Sequence, residues 1–396
     1  MTAEILIMNN SAIAMAADSA VTVMNKKTYN GVNKLFMLSN DPPMGIMIFG
    51  NANFDIFPME TLIKEFRKKY DFNELKNIKN IHEKFIEYLS KVTPHTDFKV
   101  LIDYNLVSFK DFLENKFKSI SKEEFNEFIE SYTHIDDLNF LSNIDEFNNY
   151  DWNFDEILPN FISIEKKENI CNILKMMFFK ELIYPGTGVV IAGFNHEELF
   201  PSFMTFNLIA NNNGNIENNI LNYEFDCPHG IIVPFAQIDV IKTFMTGLDL
   251  SMDIAIESFF EFFIDDYLNE LQILINNNQK ISQESLKTIN ENFETFKTTN
   301  KTRVNDFMQG IHAWENKVSK PILDSVESLP KEELANMCES LIHITSLKRK
   351  VSSDLQTVGG DIDVAIISKG DGFIWKKRKH YFDADLNPHF FKKCEK

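Results

Sequence analysis

Residues 1–50 read MTAEILIMNNSAIAMAADSAVTVMNKKTYNGVNKLFMLSNDPPMGIMIFG, and this stretch decides the fold. Two short β-type runs, Ile5–Met8 and Ala12–Ala17, are separated by the polar residues Asn9-Asn10-Ser11. Two such runs joined by a short polar turn predict a β-hairpin. A third apolar strand is predicted from Gly45 to Phe49, where it runs into Gly50.

Thr2 directly follows Met1. Because the initiator Met is usually removed before a small residue, we expect Thr2 to carry a free α-amino group beside its hydroxyl. An α-amine has a pKa of about 7.7–8.0 and is partly unprotonated near neutral pH. An N-terminal nucleophile needs a weakly nucleophilic hydroxyl with such a base alongside, so Thr2 is a candidate catalytic residue.

The composition favours a globular protein that binds neither nucleic acid nor membrane. The chain has 396 residues, of which 44% are hydrophobic and 37 are Phe, enough for a sizeable core. Its net charge of −18 opposes binding to the phosphate backbone and to anionic membranes. The four cysteines form no CxxC pair, and no run approaches the roughly 20 apolar residues of a membrane span. A cytoplasmic protein is therefore predicted.

The rest of the chain alternates helical and strand-like segments. An amphipathic helix is predicted over 59–70. Residues 72–185 are predicted to be helical, with a capping box at Ser121 and Glu124 and with aromatic residues in a core. Further elements are predicted in this order: strands over 189–193, 202–208 and 231–233, a helix over 237–248, an exposed helical arm over 259–328, a helix that starts at Ser328 with Pro330 in its first turn, and a closing hairpin over 361–375. Strands between helical segments predict two sheets between helical layers, an α+β fold.

No metal or cofactor site is predicted. Gly186-Thr187-Gly188 is not followed by the Lys-Ser/Thr of a phosphate loop. His196-Glu197-Glu198 lacks the second His of a zinc helix, and Cys227 with His229 is an isolated pair. These residues are interpreted as loop or structural residues.

The N-terminal spacing resembles that of the proteasome β-subunit family, which includes the bacterial heat-shock ring peptidase and related bacterial proteasome-like subunits. Thr2, Asp18 and Lys34 follow one another at intervals of sixteen positions, as in that family. Thr22 falls at a substrate-binding threonine of the family, and Gly50 falls at its oxyanion-hole glycine. The resemblance covers roughly residues 2–72, 186–258 and 329–378. It implies the N-terminal nucleophile (Ntn) hydrolase fold, a four-layer αββα sandwich of two antiparallel sheets, here with two large helical insertions.

The resemblance also implies a mechanism. Thr2 would attack a carbonyl carbon through its side-chain oxygen, and its own amine, directly or through water, would take the proton. The charge of Lys34 would favour the deprotonated hydroxyl, and Asp18 would hold and orient Lys34. The N–H of Gly50 would stabilise the oxyanion. The segment that carries Ala20 and Thr22 would present its backbone edge to an extended substrate.

In the C-terminal part, the resemblance adds Asp354 and Thr357 as catalytic residues. Residues 354–357 have the family's Asp-x-x-Ser spacing with Thr in place of Ser, and one extra residue precedes the double glycine. The family's helix-start serine is missing, because Phe235-Ala236-Gln237 stand at that place. Either Gln237 or Asp239 rebuilds the proton relay, or the relay is lost and the enzyme is weakened. Gln237 is also a candidate substrate-binding residue.

These observations predict a threonine-type hydrolase of amide bonds, most simply of peptides, that needs no cofactor, forms a homo-oligomer and could serve an unfolding or adaptor partner. One alternative is a non-proteolytic amidase of the same fold, and another is a catalytically silent scaffold whose helical insertions bind a partner. The predicted segments are the core pieces 1–72, 186–258 and 329–396 and the helical insertions 73–185 and 259–328.

Overall fold

The computed structural model describes residues 3–23, 27–54, 57–75, 77–93, 98–118, 120–130, 150–152, 154, 157–159, 161–162, 164–178, 186–212, 215–277, 282–352, 358–383 and 385–387. The chain divides into two units, and each is described by itself. The first unit comprises Met1–Gly31, Pro228–Ile366 and Trp375–Lys396. The second comprises Val32–Cys227 and Ile367–Ile374.

The described part of the chain contains strands and helices in a mixed order. In chain order, the strands are β1 Ala3–Met8, β2 Ile13–Ala17, β3 Ala20–Val23, β4 Lys27–Asn30, β5 Leu35–Asn40, β6 Pro43–Gly50, β7 Asn53–Phe54, β8 Phe57–Pro58, β9 Thr187–Gly193, β10 Ser202–Asn212, β11 Asn215–Glu224, β12 Ile231–Ala236, β13 Asp363–Ser368 and β14 Gly372–Lys377. The helices are α1 Met59–Lys69, α2 Ile78–Val92, α3 Phe98–Phe117, α4 Lys122–Glu130, α5 Ile164–Phe178, α6 Ile238–Thr246, α7 Leu250–Asn276, α8 Gln283–Ser328 and α9 Lys331–Val351.

One five-stranded sheet has the strand order β12-β1-β2-β13-β14. Strand β1 lies between β12 and β2 and pairs with both in antiparallel register. The predicted turn between β1 and β2 is confirmed, because Asn9 Oδ1 accepts hydrogen bonds from the backbone N–H groups of Ser11 and Ala12. The Asn9 side chain also donates to the carbonyls of Val326 and Leu329, so this turn is fastened to the junction of α8 and α9.

Helix α9 covers one face of this sheet. Its buried residues Leu334, Cys338 and Leu341 form a core with Ile5 and Ala14, among others. Burial raises the pKa of the Cys338 thiol, which therefore stays protonated as a packing residue. The other face of β1 and β2 is also apolar and buried, through Leu6, Met8, Ile13 and Met15.

The second five-stranded sheet has the order β11-β10-β9-β6-β5. Helices α1 and α2 pack on one face of it, where Phe66 and Phe85 lie in a core with residues such as Ile46, Ile191 and Phe206. The opposite face carries a second buried row that runs across the strands: Leu35, Met47, Val190 and Ala192. When the alternating side chains of a strand are buried on both faces of the sheet, the strand lies inside the fold rather than at its surface.

The predicted aromatic core of the first helical segment is confirmed. Phe109, Trp152, Phe154 and Phe178 lie in one buried cluster built from α3, α4, α5 and the segment before α5. The predicted capping box is also present, since Ser121 N–H donates to Glu124 Oε2 and Glu124 N–H donates to Ser121 Oγ.

Two predictions about the elements were wrong, and one strand was missed. Ser328 ends α8 rather than starting a helix, and Pro330 is the N-cap residue of α9 rather than a first-turn residue. The second helical segment starts at Leu250 instead of residue 259, and it is not wholly exposed, because Phe293, Val304 and Met308 are buried. Strand β11 was not predicted.

The architecture is thus a mixed α+β fold with antiparallel sheets. None of the helices in the described ranges combines the length and the apolarity needed to cross a membrane. The division into core pieces and insertions stays a prediction.

Candidate functional site

Asp18 is the best-defined member of the predicted site. It follows β2 in the first unit, its side chain is fully buried, and its carboxylate bridges two backbone N–H groups. Oδ1 accepts from Ala3 N–H at 3.1 Å, and Oδ2 accepts from Gly359 N–H at 2.9 Å. Two backbone bonds close the same junction, from Asp18 N–H to Ala3 O and from Ser19 N–H to Gly359 O. Asp18 therefore links Ala3, the residue after Thr2, to Gly359, the first residue of the double glycine.

The residues on both sides of this junction include three predicted catalytic residues. Thr2 precedes Ala3, and Asp354 and Thr357 precede Val358 and Gly359 in the chain. Thr2, Asp354 and Thr357 lie outside the described residues. Their flanking residues are well anchored, since both Ala3 and Val358 are buried in the core under α9.

A strained turn lies opposite Ala3 in the sheet. Ala236 is the register partner of Ala3 and has φ of 65°, a left-handed conformation that is rare for a residue with a Cβ. The N–H of Gln237 donates back to the carbonyl of Phe235 at 2.9 Å, so the three residues form a γ-turn of the strained type. Such strain clusters at functional sites. Sequence reasoning did not predict it, because alanine gives no signal for a positive φ.

Gln237 follows this turn as the N-cap residue of α6, and it is buried. It thus lies at the helix start where the resemblance places the family's serine, one residue after the register partner of Ala3. The other candidate for the proton relay, Asp239, forms ion pairs with two basic side chains. Its carboxylate accepts from Arg349 Nη2 at 2.7 Å and from Lys348 Nζ at 3.1 Å. The hydrogen bond that Lys348 donates to Asp239 raises the pKa of Lys348, and Asp239 thereby links α6 to α9. Whether either residue serves the proton relay stays a prediction.

Ser19 and Gly360 approach closely behind Asp18. Ser19 is buried, and within the described part of the chain its Oγ has no hydrogen-bond partner. Gly360 has φ of 76°, and a Cβ built there would lie 2.3 Å from Ser19 Oγ and 3.0 Å from Asn30 Cβ. Only glycine fits both this conformation and this space. Gly360 therefore lets the chain after α9 reach the Asp18 junction.

Ala20 and Thr22 lie on β3, as the predicted substrate segment requires. Ala20 is fully buried and pairs with Asn30, and Thr22 pairs with Thr28. The side chain of Thr22 is outside the described set. Strand β3 pairs with β4 in a two-stranded sheet, so β4 is its sole strand neighbour among the described residues. A strand with one unpaired edge can accept an extended peptide.

Lys34 and Gly50 belong to the second unit. Lys34 directly precedes β5, and it is 3% exposed although a charged ammonium is costly to bury. Its carbonyl accepts from the N–H of Ile48, which fixes its backbone beside β6. Lysine is seldom buried to this extent, which distinguishes Lys34 from a surface lysine; its catalytic role stays a prediction.

Gly50 ends β6 in an exposed position with φ of 75°. A Cβ there would lie 2.9 Å from the carbonyl oxygen of Gly186, so both conformation and space select glycine. Its register partner Thr187 donates through Oγ1 to the carbonyl of Asn53 at 2.7 Å, which fixes the turn after the strand. The backbone of Gly50 is thus fixed, and its role as an oxyanion donor stays a prediction.

Across the residues that the structure describes, no group of three or more His, Cys, Asp or Glu side chains is arranged to hold a metal ion.

Comparison with known proteins adds little. No protein-family model matches the sequence, and no curated protein matches it. Among solved structures, the chain is similar to Anbu (ancestral beta-subunit) from Yersinia bercovieri at 8% sequence identity and a TM-score of 0.32, with 99% of this chain and 94% of that chain covered. At that TM-score the likeness assigns neither family nor fold.

Proposed function

We propose that the chain is a threonine-type Ntn hydrolase that cleaves amide bonds in peptides, as a proteasome-like subunit. The observation that carries the proposal is the Asp18 junction. A fully buried carboxylate holds the N–H of Ala3, the residue next to Thr2, and the N–H of Gly359. A chain that used its first residues only as a strand of the sheet would not need a charged group there, because burying a carboxylate is costly.

In the proposed reaction, Thr2 becomes the first residue once Met1 is removed. Its hydroxyl oxygen forms a bond to the carbonyl carbon of the substrate, and its α-amine accepts the hydroxyl proton. Collapse of the tetrahedral intermediate breaks the amide bond, and the proton passes to the leaving amine. Water then attacks the ester on Thr2 and releases the acid product, so the enzyme returns to its initial state.

The remaining residues have supporting roles in this proposal. Lys34 stabilises the deprotonated Thr2 oxygen through its charge. Asp18 positions the Thr2 backbone through Ala3, and it also orients Lys34. The N–H of Gly50 stabilises the oxyanion, and one such donor is typically worth about 10²–10³ in rate. Gln237 replaces the family's serine as the group nearest to the helix start.

The finer fold assignment, a four-layer αββα sandwich, is part of the proposal. Its support is that each sheet, taken by itself, has helices on one face and a second face of buried apolar side chains. Sheets with one helix-covered face and one apolar face form the inner layers of such sandwiches.

The test is hydrolysis of short fluorogenic peptides by untagged protein. Thr2→Ala is expected to lower kcat/KM by at least about 10³-fold, because it removes the nucleophile, whereas Thr2→Ser is expected to retain measurable activity. Thermal melts of both variants should agree with the wild type to within a few degrees. Equal hydrolysis by Thr2→Ala would contradict the proposal and favour a scaffold.

A further inference from the structure

A buried ion pair joins the start of β13 to the segment that follows β14, within the first unit. The carboxylate of Asp363 accepts the backbone N–H of Lys379 through Oδ1 at 2.8 Å, and it pairs with Lys379 Nζ through Oδ2. The two side chains are only 2% and 7% exposed. Asp363 therefore holds both the main chain and the side chain of Lys379, and both charges lie almost wholly out of water.

The residues on either side of Asp363 are apolar. Ile362 and Val364 belong to the buried core under α9. Because burial costs both charges their hydration, well-packed apolar side chains of similar volume often replace a buried ion pair without loss of stability. The pair does oppose other arrangements of the chain, since either charge left alone in the interior is strongly destabilising. It is therefore suited to fix the position of the chain at Asp363.

The two nearby lysines of β14 differ from Lys379. Lys376 donates to Asn336 Oδ1 and Lys377 pairs with Glu339 at 2.6 Å, and both partners lie on α9. The side chain of Lys377 is 48% exposed, and exposed ion pairs contribute little to stability. Of these three lysines, Lys379 has the least exposed side chain. Its ion pair is thus distinct from the surface pairs beside it.

Asp363 lies on the same short segment as one half of the Asp18 junction. Residues 358–363, which we call the glycine segment, begin in the core under α9 and run to the start of β13. Within this segment, Gly359 N–H donates to Asp18 Oδ2 at 2.9 Å. The glycine segment is therefore held by Asp18 near one end and by Lys379 at the other.

The two glycines make the second anchor important. Glycine loses more conformational freedom on folding than any other residue, so a segment with Gly359 and Gly360 in sequence is costly to hold in one conformation. Gly360 also has φ of 76°, a region that residues with a Cβ rarely adopt. Asp354 and Thr357, two of the predicted catalytic residues, directly precede this segment in the chain.

We propose that Lys379 is a positioning residue for the candidate site: its ion pair with Asp363 holds the glycine segment so that Gly359 meets Asp18. The expected effect on hydrolysis rests on the proposed function, whereas the effect on the Asp18 junction rests on the geometry alone. Most of the described residues after Lys379 are exposed, and Tyr381 is almost fully so. Through this one ion pair, the C-terminal tail is connected to the junction beside the N-terminus.

Three variants of the full-length chain test the connection. Lys379→Met removes the charge and keeps most of the side-chain length, and Lys379→Arg keeps the charge. The double variant Asp363→Asn with Lys379→Met removes both charges, so no unpaired charge is left in the interior. Lys377→Met is the matched control, because it makes the same change at an exposed ion pair two residues earlier.

Hydrogen exchange at the Gly359 amide reports on the junction. The amide of Leu6, which lies in the middle of β1 between two paired strands, reports on opening of the whole unit. In Lys379→Met and in the double variant, we expect exchange at Gly359 to accelerate at least about tenfold more than exchange at Leu6. Lys379→Arg is expected to stay within about threefold of the wild type at both amides, and Lys377→Met to match the wild type.

Hydrolysis of short fluorogenic peptides by the same preparations measures the effect on the site. Lys379→Met and the double variant are expected to lower kcat at least about tenfold and to change KM by less than about twofold. This split is expected because the pair acts on the segment that follows Asp354 and Thr357, not on the candidate substrate strand β3. Lys379→Arg is expected to restore kcat.

Four results would overturn the inference. Equal acceleration at Gly359 and Leu6 would show that the pair only stabilises the fold, and unchanged protection of Gly359 would show that the pair does not hold it. An equally large effect of Lys377→Met would show that the buried pair is not special. Faster exchange at Gly359 with unchanged kcat would show that the connection does not extend to the catalytic residues. A wild type without hydrolysis would refute the proposed function instead, and the exchange comparison would still decide whether Lys379 positions Gly359.

Discussion

Replacing Asp18 with Asn tests the junction that anchors the proposed site. The Asp18 carboxylate accepts one hydrogen bond from Ala3 N–H and one from Gly359 N–H, and it is fully buried. An amide has a single acceptor oxygen, so one of these two N–H groups would face an NH₂ donor instead. An unsatisfied buried donor costs about 1–3 kcal/mol, and the remaining bond loses its charge assistance. We expect Asp18→Asn to destabilise the junction by about 2–3 kcal/mol.

Hydrogen exchange at the Ala3 and Gly359 amides is the most direct assay. A loss of 2–3 kcal/mol corresponds to exchange that is about 30- to 150-fold faster at these amides. Asp361→Asn is the matched control, because it makes the same chemical change at an exposed aspartate one residue after Gly360. This control should leave both amides as protected as in the wild type.

Unchanged protection in Asp18→Asn would refute the reasoning, because it would mean that neither hydrogen bond contributes to holding the N-terminal strand. The same variant is also expected to lower peptide hydrolysis, since Ala3 fixes the backbone of Thr2. Loss of protection without loss of hydrolysis would show that the junction is structural only.

Three further predictions concern other positions. Gly360→Ala should lower the free energy of unfolding, measured with urea, by more than about 2 kcal/mol, because the positive φ alone costs about 1–2 kcal/mol and the new Cβ collides with Ser19. An unchanged midpoint of the urea transition would contradict this. Gly50→Ala keeps the N–H but forces the backbone to move, because its Cβ would lie 2.9 Å from the carbonyl oxygen of Gly186; we expect kcat to fall as the N–H leaves its position, and an unchanged kcat in a variant whose thermal melt is lowered would count against the oxyanion role. Burial lowers the pKa of His82 from its ordinary value of 6.5, so the unfolded chain binds a proton that the folded chain does not. The free energy of unfolding should therefore fall as the pH drops from 6.5 to the folded-state pKa, by up to about 1.4 kcal/mol per pH unit relative to His82→Gln, and parallel pH profiles of the two proteins would contradict it.

Hairpin β1–β2 and helix α1 were predictable because local patterns and packing agree in them. The runs Ile5–Met8 and Ala12–Ala17 are β-type, and Asn9 makes the turn bonds that its side chain suits. Strand β11 was missed because its sequence, NIENNILNYE, is rich in Asn, which disfavours strands. Its structure depends on pairing with β10, which a local pattern cannot indicate.

The candidate site was predictable only in part. Asp18, Lys34 and Gly50 followed from a family spacing, and their catalytic roles stay predictions. The positive φ of Ala236 and the close approach of Gly360 to Ser19 could not be predicted from the sequence. Both depend on which segments meet in three dimensions, and neither alanine nor serine marks such a contact in sequence.

The extent of the two helical segments was also predictable only in outline. The capping box at Ser121 was visible because capping uses side chains three residues apart. The boundary at residue 250 was not, because Gly247 ends α6 in a left-handed conformation and α7 follows within three residues. Continuous helical pattern across such a short break conceals it.

The state of the N-terminus tests the central claim most directly. Intact-mass spectrometry of untagged protein, before and after treatment with a peptide-linked electrophile that reacts with hydroxyl groups, measures it. The account predicts that the mass lacks one methionine residue, that one label is added, and that the label maps to Thr2. Retention of Met1, or a label that leaves Thr2 unmodified, would contradict it.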